Sequence, residues 1–411
     1  MLLNETIDVG TQIQLLLDNG WYEDARNSAE VTHQHGFISK EAHTAVMRAT
    51  AGKPASAQRG HEVYGVANGF DGHTVLSSLQ FERLHSRDEM KRAFKQGVTK
   101  IEIETSTQCN RHCTYCPNSQ PAFSHRLKKN DFLDMDVLRK MLTELQEIDY
   151  SNTISLVGMN EFFMHEENFA YAELVKTMLP KSRLQIYTNG DYLDRDYIER
   201  AERAGVDMLV ISFHLQAGKA YNAEDVLDRA TKFMSRTQLL LSMTDYQKGA
   251  RLHFQTTFKR MHVLAGLVNW NTDGHNWSGT VSSGKQMADT TMPCQSPVNI
   301  LCLTQGGDFT LCCAVPRERT PENIANGALL GNLADYPSIF HAYASDAMLY
   351  WRQHSFSTKN IPPLCQTCSA RNHISNKLNQ KLAEFIEEQH DFVDAPHAAA
   401  APVKMAAGCS R

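Results

Sequence analysis

From about residue 98 onward, apolar residues recur with two alternating periods. The run VTKIEIE is strand-like. FLDMDVLRKMLTELQEI then repeats apolar residues every three or four positions, putting Leu133, Val137, Leu138, Met141, Leu142, Leu145 and Ile148 on one helical face. The strand-like ISLVG follows, then a helix around Tyr171 to Met178, the strand-like RLQIYTNG, and a helix from about Asp194 to Ala204 closed by Gly205. The order continues with VDMLVISF, the helix NAEDVLDRATKFM, the strand-like QLLLSM and a last strand-like run near HVLAGLVNW. Six strand-like runs alternating with helices predict a parallel sheet with right-handed crossovers. The expected fold is α/β, a partial (β/α)6 TIM-like barrel over residues 96–285, with its ligand site at the carboxyl ends of the strands.

The flanking segments read differently. Residues 1–95 are mainly helical by pattern, with Ile13, Leu16, Leu17 and Trp21 at helical spacing before a Gly-rich break, ANGFDGH. This segment carries no motif and is expected to act as a helical cap or a substrate-docking region. Over residues 286–372 the periodicity fails while Pro, Gly and Cys become frequent, which fits a small loop-rich module held by metal. Residues 373–411 are expected to hold a helix from Ser375 to Gln389 and a disordered tail, DAPHAAAAPVKMAAGCSR.

Charge and targeting narrow the classes. The 411 residues carry a formal charge of −5, with neither sign gathered in blocks, so no nucleic-acid or anionic-membrane partner is expected. The start, MLLNETIDVGTQIQLLLDNG, is acidic where a secretion signal is basic, and no run reaches the roughly 18 apolar residues of a membrane span. A cytoplasmic protein is expected. In that reducing compartment ten cysteines point to metal or redox chemistry rather than disulfides. They fall into two groups, Cys109, Cys113 and Cys116, then Cys294, Cys302, Cys312, Cys313, Cys365 and Cys368, with Cys409 alone in the tail.

The first group stands in CNRHCTYC, a C-x3-C-x2-C spacing whose short spacers let the thiolates face one metal centre. A closed zinc site needs four ligands. His112 is the nearest candidate, but its adjacency to Cys113 makes it awkward for the same ion. A [4Fe–4S] cluster also takes four ligands, so three cysteines would leave one iron open. Spacing alone leaves zinc and iron–sulfur both standing.

The segment resembles the signature of the radical S-adenosylmethionine (SAM) superfamily, C-x3-C-x2-C after the first strand with an aromatic, Tyr115, before the last cysteine. The resemblance implies that SAM chelates the open iron through its methionine moiety while the aromatic packs near the adenine. Where the family has Gly-Gly-Glu-Pro, this chain has Gly158, Met159, Asn160, Glu161 and Phe162; the glycine and proline departures leave Glu161, a carboxylate suited to an ammonium group. YTNG and VISFH resemble the family's next two strand ends. They make Thr188, Asn189 and Ser212 lining candidates for SAM.

The second group resembles the auxiliary-cluster extensions of that superfamily, the SPASM and shorter twitch domains. In these a cysteine, a Gly-x4-Cys hairpin and a Cys-x2-Cys pair ligate another [4Fe–4S] cluster. By this resemblance Cys294, Cys312, Cys365 and Cys368 are the ligands, with Gly307 opening the hairpin and Cys313 the alternative to Cys312. Cys302, in NILCL, reads as a buried thiol. A zinc-binding module satisfies the same spacing.

The implied activity is reductive cleavage of SAM to a 5′-deoxyadenosyl radical that takes hydrogen from a small polar metabolite, such as a sugar, an aminocyclitol or an amino-acid-like molecule. The auxiliary cluster would carry electrons, and a flavodoxin- or ferredoxin-type donor would reduce the first. The alternatives are a maturase acting on a ribosomally made peptide, or a non-catalytic zinc or iron–sulfur scaffold. His214, Gln216, His253, Trp270, Asn271, His275 and Trp277 lie near late strand ends as substrate-facing candidates, and no catalytic acid or base is assigned.

Overall fold

The computed structural model describes residues 13–14, 17–18, 22–34, 38–53, 78–282, 293–357, 361–370 and 392–393. Its longer helices are α1 (Tyr22–Gln34), α2 (Lys40–Thr50), α3 (Arg87–Gly97), α4 (Met135–Gln146), α5 (Asn168–Met178), α6 (Arg195–Arg203), α7 (Ala223–Thr237), α8 (Ile339–Ala344) and α9 (Asp346–Phe356). The strands are β1 (Lys100–Ile103), β2 (Thr153–Leu156), β3 (Arg183–Thr188), β4 (Met208–Ser212), β5 (Ser242–Gln247), β6 (Arg251–Phe258), β7 (Met261–Val268), β8 (Ile300–Leu303), β9 (Asp308–Thr310) and β10 (Leu329–Asn332). They form one ten-stranded sheet in the order β10, β9, β8, β1, β2, β3, β4, β7, β6, β5. The middle, from β8 to β7, is parallel throughout. Both ends finish in antiparallel hairpins.

Strand alternation decides what each face receives. On β1, Ile101 and Ile103 enter the main apolar core with the inner faces of α4 and α5. Lys100 and Glu102 point the other way, where Lys100 Nζ lies 3.1 Å from Glu102 Oε1 and Arg317 Nη2 lies 2.9 Å from Glu102 Oε2. On β4, Leu209 and Ile211 join the main core, whereas Met208 and Val210 pack with Leu264 in a separate cluster. The helices begin where side chains can cap them: Asp134 accepts from the Asp136 amide, Asp194 from Tyr197 and Asn222 from Glu224.

The alternating α/β core is as expected, but its parallel strands are not all the expected ones. QLLLSM does not begin a further parallel unit. Gln238 caps α7 in the left-handed conformation, the chain descends through buried Leu239 and Leu241, and β5 starts only at Ser242 and runs antiparallel. RLHFQTTF, unremarked in the sequence, forms β6, and a second reversal brings β7 back beside β4. The sixth parallel strand is β8, drawn from NILCL and paired with β1 across 200 residues of chain. The segment after residue 290 therefore extends the same sheet. Cys302 is fully buried on β8, and the Gly307 turn between β8 and β9 supplies the expected hairpin.

At the other edge, α1 packs on β5, where the Met243 amide donates to Ser28 Oγ at 3.2 Å and Leu240 joins Ile13, Ala25, Ala29 and Val46. Leu16, Trp21, ANGFDGH, the 375–389 helix and Cys409 lie outside the described residues. Among the described residues no helix is long and apolar enough to cross a membrane.

Gly266 on β7 tests this arrangement. Its φ is +152°, and an added Cβ would fall 2.7 Å from His253 Cδ2, 2.9 Å from His253 Cα and closer still to the Leu252 carbonyl oxygen. Gly266→Ala is expected to cost about 3 kcal/mol, because backbone rather than a flexible side chain must yield. A denaturant midpoint unchanged from the parent would show that β6 does not approach β7 this closely.

Candidate active site

The loop that follows β1 is fixed from below before its cysteines face anything. Glu104 is fully buried and accepts from Arg126 Nη2 at 2.6 Å, from Arg126 Nη1 at 3.3 Å and from the Met159 amide at 2.6 Å. Arg126, ten residues beyond Cys116, thereby pins the far end of the cysteine loop to the end of β1. It also reaches Gln305 after β8. Gly158 is explained here: a Cβ would lie 2.5 to 2.6 Å from the Glu104 carboxylate. Asn118 Nδ2 donates to the Met159 carbonyl, tying the same loop to the chain after β2.

From the opposite side Arg111 holds the loop to the ends of β3 and β4. Its Nε and Nη2 clasp the two oxygens of Asp191 at 2.7 Å each, and Nη1 donates to the His214 carbonyl at 2.8 Å. Arg229 from α7 adds a 2.7 Å contact to Asp191. Burial alone would raise Asp191, but the two guanidiniums hold it down at about 2.

Between these anchors lies a cavity of about 190 Å³ at the carboxyl ends of the parallel strands. Cys109, Cys113, Tyr115, Cys116, Gly158, Asn160, Glu161, Thr188, Asn189 and Ser212 all line it, as do His214, Trp270 and Trp277. Gln216, His253, Asn271 and His275 do not. His253 faces Asp245 on β5 at 3.7 Å instead. Arg111, Asn118, Val157 and Tyr187 line the cavity without having been singled out from sequence; Tyr187 was readable as the residue two before Asn189 on the same strand face.

The carboxylate of Glu161 is 1% exposed and joins two strand ends. It accepts from Thr188 Oγ1 at 2.5 Å, the Asn189 amide at 2.7 Å and the Phe163 amide at 3.1 Å. Burial nevertheless pushes it up to about 7. Asn189 also donates to Asn110 Oδ1 at 2.7 Å, and Asn160 to Ser106 Oγ at 3.1 Å, so these amides brace the cysteine loop from β3 and β2. Tyr115 stacks on Trp270 with ring centroids 4.8 Å apart and planes 5° from parallel, and its hydroxyl shares a 2.9 Å hydrogen bond with His214 Nδ1. Burial, helped by Arg111 and Arg229, drops His214 to about 3, so the imidazole is neutral near pH 7.

The donor set fits an iron–sulfur cluster with one iron left for SAM: three thiols, a cavity beside them, and a buried carboxylate opposite. Burial pushes both Cys109 and Cys116 up to about 12, so cluster binding must displace protons from these thiols. Among the described residues no three His, Cys, Asp or Glu side chains converge closely enough for a single ion, and none of the described cysteines is in a disulfide.

Cys294, Cys312, Cys365 and Cys368 form a second buried set, each less than a tenth exposed. Burial raises the Cys312 thiol well above its usual value, and Cys313, Cys368, Cys365 and Cys294 add to the effect. Burial pushes the Cys313 thiol up to about 12, with Glu102 adding to the rise and Lys100 and Arg317 opposing it.

Residues 103–235 match the family model described as Radical SAM superfamily. The chain is similar to the S-adenosyl-L-methionine-dependent 2-deoxy-scyllo-inosamine dehydrogenase of Niallia circulans, with 23% identity over 294 residues, 71% of this chain and 97% of that protein. Among solved structures, BtrN in complex with AdoMet and 2-DOIA is similar at 20% identity and a TM-score of 0.48, covering 66% of this chain and 93% of that one. Streptococcus suis SuiB bound to S-adenosylmethionine is similar at 12% identity and a TM-score of 0.39, covering 85% of this chain and 84% of that one. The chain therefore carries a radical SAM domain over residues 103–235.

Proposed function

We propose that this radical SAM enzyme dehydrogenates a small hydroxyl-bearing metabolite of the aminocyclitol or sugar kind, with Cys294, Cys312, Cys365 and Cys368 holding an auxiliary [4Fe–4S] cluster. The observation that carries the reading is the single cavity shared by Cys109, Cys113, Cys116, Glu161 and Tyr115 at the strand ends, beside a separate buried set of four thiols. The substrate class is supported by the curated relative, whose name gives an inosamine dehydrogenase and whose length is matched almost throughout.

Cys109, Cys113 and Cys116 hold the first cluster. When bound, that cluster and SAM supply the electron and the carbon radical that removes a hydrogen atom from substrate. Glu161 receives the ammonium group of the methionine moiety on lone pairs left after its bonds to Thr188, Asn189 and Phe163. Tyr115 and Trp270 form the aromatic wall that excludes water, and neutral His214 and Ser212 offer hydrogen bonds to hydroxyl groups. Turning a carbinol into a ketone removes one hydrogen as an atom, one as a proton, and one further electron. Four protein thiolates leave an auxiliary cluster no open iron for SAM, which suits the second set to taking that electron. We assign α1 and α2 to a cap over the β5 edge, reduction to a flavodoxin- or ferredoxin-type donor, and the protein to the cytoplasm, where thiols stay reduced.

After anaerobic reconstitution the chain is expected to hold about eight irons, and the Cys109/Cys113/Cys116 triple Ala variant about half of them. With dithionite, SAM and 2-deoxy-scyllo-inosamine, 5′-deoxyadenosine and ketone should form in equal amounts. Failure to form any 5′-deoxyadenosine would remove the proposal, and 5′-deoxyadenosine without ketone would remove the substrate class.

The ionisation of Glu161 gives a second expectation. Because burial raises it to about 7, SAM binding below that pH must first ionise the carboxyl, so affinity should fall by up to about tenfold per pH unit between pH 7 and 5. Glu161→Gln should weaken SAM by roughly tenfold or more and flatten the pH profile. Calorimetric titration checks both, and a pH-dependent Gln variant would show that another group receives the ammonium.

A further inference from the structure

Two adjacent residues after β7, Asn276 and Trp277, touch both cysteine sites, and neither contact is used by the reading above except as cavity wall. Trp277 Nε1 donates to the carbonyl of Tyr115, the residue before Cys116, at 2.9 Å. Its ring packs on His275 at 4.5 Å, His275 packs on Trp270 at 5.3 Å, and Trp270 stacks on Tyr115. Asn276 is 1% exposed and is bound to the loop that carries Cys365 and Cys368. Its Nδ2 donates to the Thr367 carbonyl at 2.7 Å, and its amide donates to Ser369 Oγ at 2.8 Å. Its Oδ1 accepts from the Ser369 amide at 3.1 Å and from Ser369 Oγ at 3.3 Å.

The backbone between these contacts is strained. Trp277 and Ser278 both take left-handed conformations, φ +50° and +52°, which residues with a Cβ adopt only when their surroundings hold them there. Gly279 follows at φ +82°, where a Cβ would lie 2.9 Å from Thr367 Oγ1, so the same loop presses on the turn a third time. A tight turn closed by hydrogen bonds from Thr280 to the Trp277 carbonyl and from Val281 to the Asn276 carbonyl completes the strap.

We infer that Asn276 and Trp277 are positioning residues that set the aromatic wall of the SAM cavity from the second cysteine loop, so that order in either cysteine site depends on the other. The inference rests on the SAM reading only for the identity of the cavity's ligand. The wall itself is Tyr115, Trp270 and Trp277, and the second loop holds it through Asn276, the chain neighbour of Trp277.

The test uses the reconstituted full chain. Trp277→Phe keeps a ring against His275 but removes the donor to Tyr115; Asn276→Ala releases Thr367 and Ser369. In hydrogen exchange, Asn276→Ala should speed exchange across residues 113–119, and Trp277→Phe across 365–370, the loop that each residue does not itself touch. Each variant should also weaken SAM by about tenfold at unchanged iron content, and the double variant should be no weaker than the worse single, because a strap cut twice is still one strap. Exchange that changes only at each residue's own contact, or losses in affinity that multiply, would overturn the inference. If the parent chain bound no SAM, the ligand assignment would fall while the exchange pattern still decided the strap.

Discussion

The buried pair of Glu104 and Arg126 is the constraint on which the site is built. Neither side chain is more than 1% exposed, and burying two charges is tolerable only when each is closely paired and further bonds support the pair. That support comes from different parts of the chain: hydrogen bonds from the Met159 amide after β2 and to Gln305 after β8, and the charge of Glu318 at 3.3 Å from Arg126 Nε, which itself makes no hydrogen bond. The cysteine loop lies between Glu104 and Arg126, so satisfying this pair brings together the ends of β1, β2 and β8 and holds the loop over them. Gly158 has no side chain because Glu104 fills its place.

A second carboxylate does for β3 what Glu104 does for β1. Glu161 collects the hydroxyl of Thr188 and the amide of Asn189, and Asn189 in turn holds Asn110 inside the cysteine motif. The protein therefore reaches the cysteine loop through hydrogen bonds from β2 and β3, an Arg111 clasp on Asp191 after β3, and an aromatic stack from beyond β7. Rigidity of this kind is what a site needs if a reactive radical is to meet one carbon and no other.

Much of this was legible in the sequence because it is local. The strand-like runs of β1 to β4, the helical face of α4, the cysteine spacing and the Glu161, Thr188, Asn189 and Ser212 positions are short patterns, and the structure places those four residues around one cavity. What escaped notice is non-local or locally ambiguous. β6 alternates Leu252, Phe254 and Phe258 with Thr and Gln, too polar a run to stand out, and β8 lies in a Cys-rich segment with its partner 200 residues away. The Arg111 to Asp191 clasp spans 80 residues and the Asn276 to Ser369 contact 93, distances over which no periodicity speaks. Gly158 was noticed as part of a SAM-binding stretch, whereas its packing requirement could be seen only with Glu104 in place.

The central claim is that the first cysteine site keeps one iron for SAM while the second does not. Mössbauer spectra of the iron-isotope-enriched holoprotein, recorded before and after adding SAM, test it most directly. The account predicts that a single iron of one cluster shifts on SAM addition while the irons of the other cluster stay as they were. Spectra that SAM leaves unchanged, or that change equally in both clusters, would contradict it.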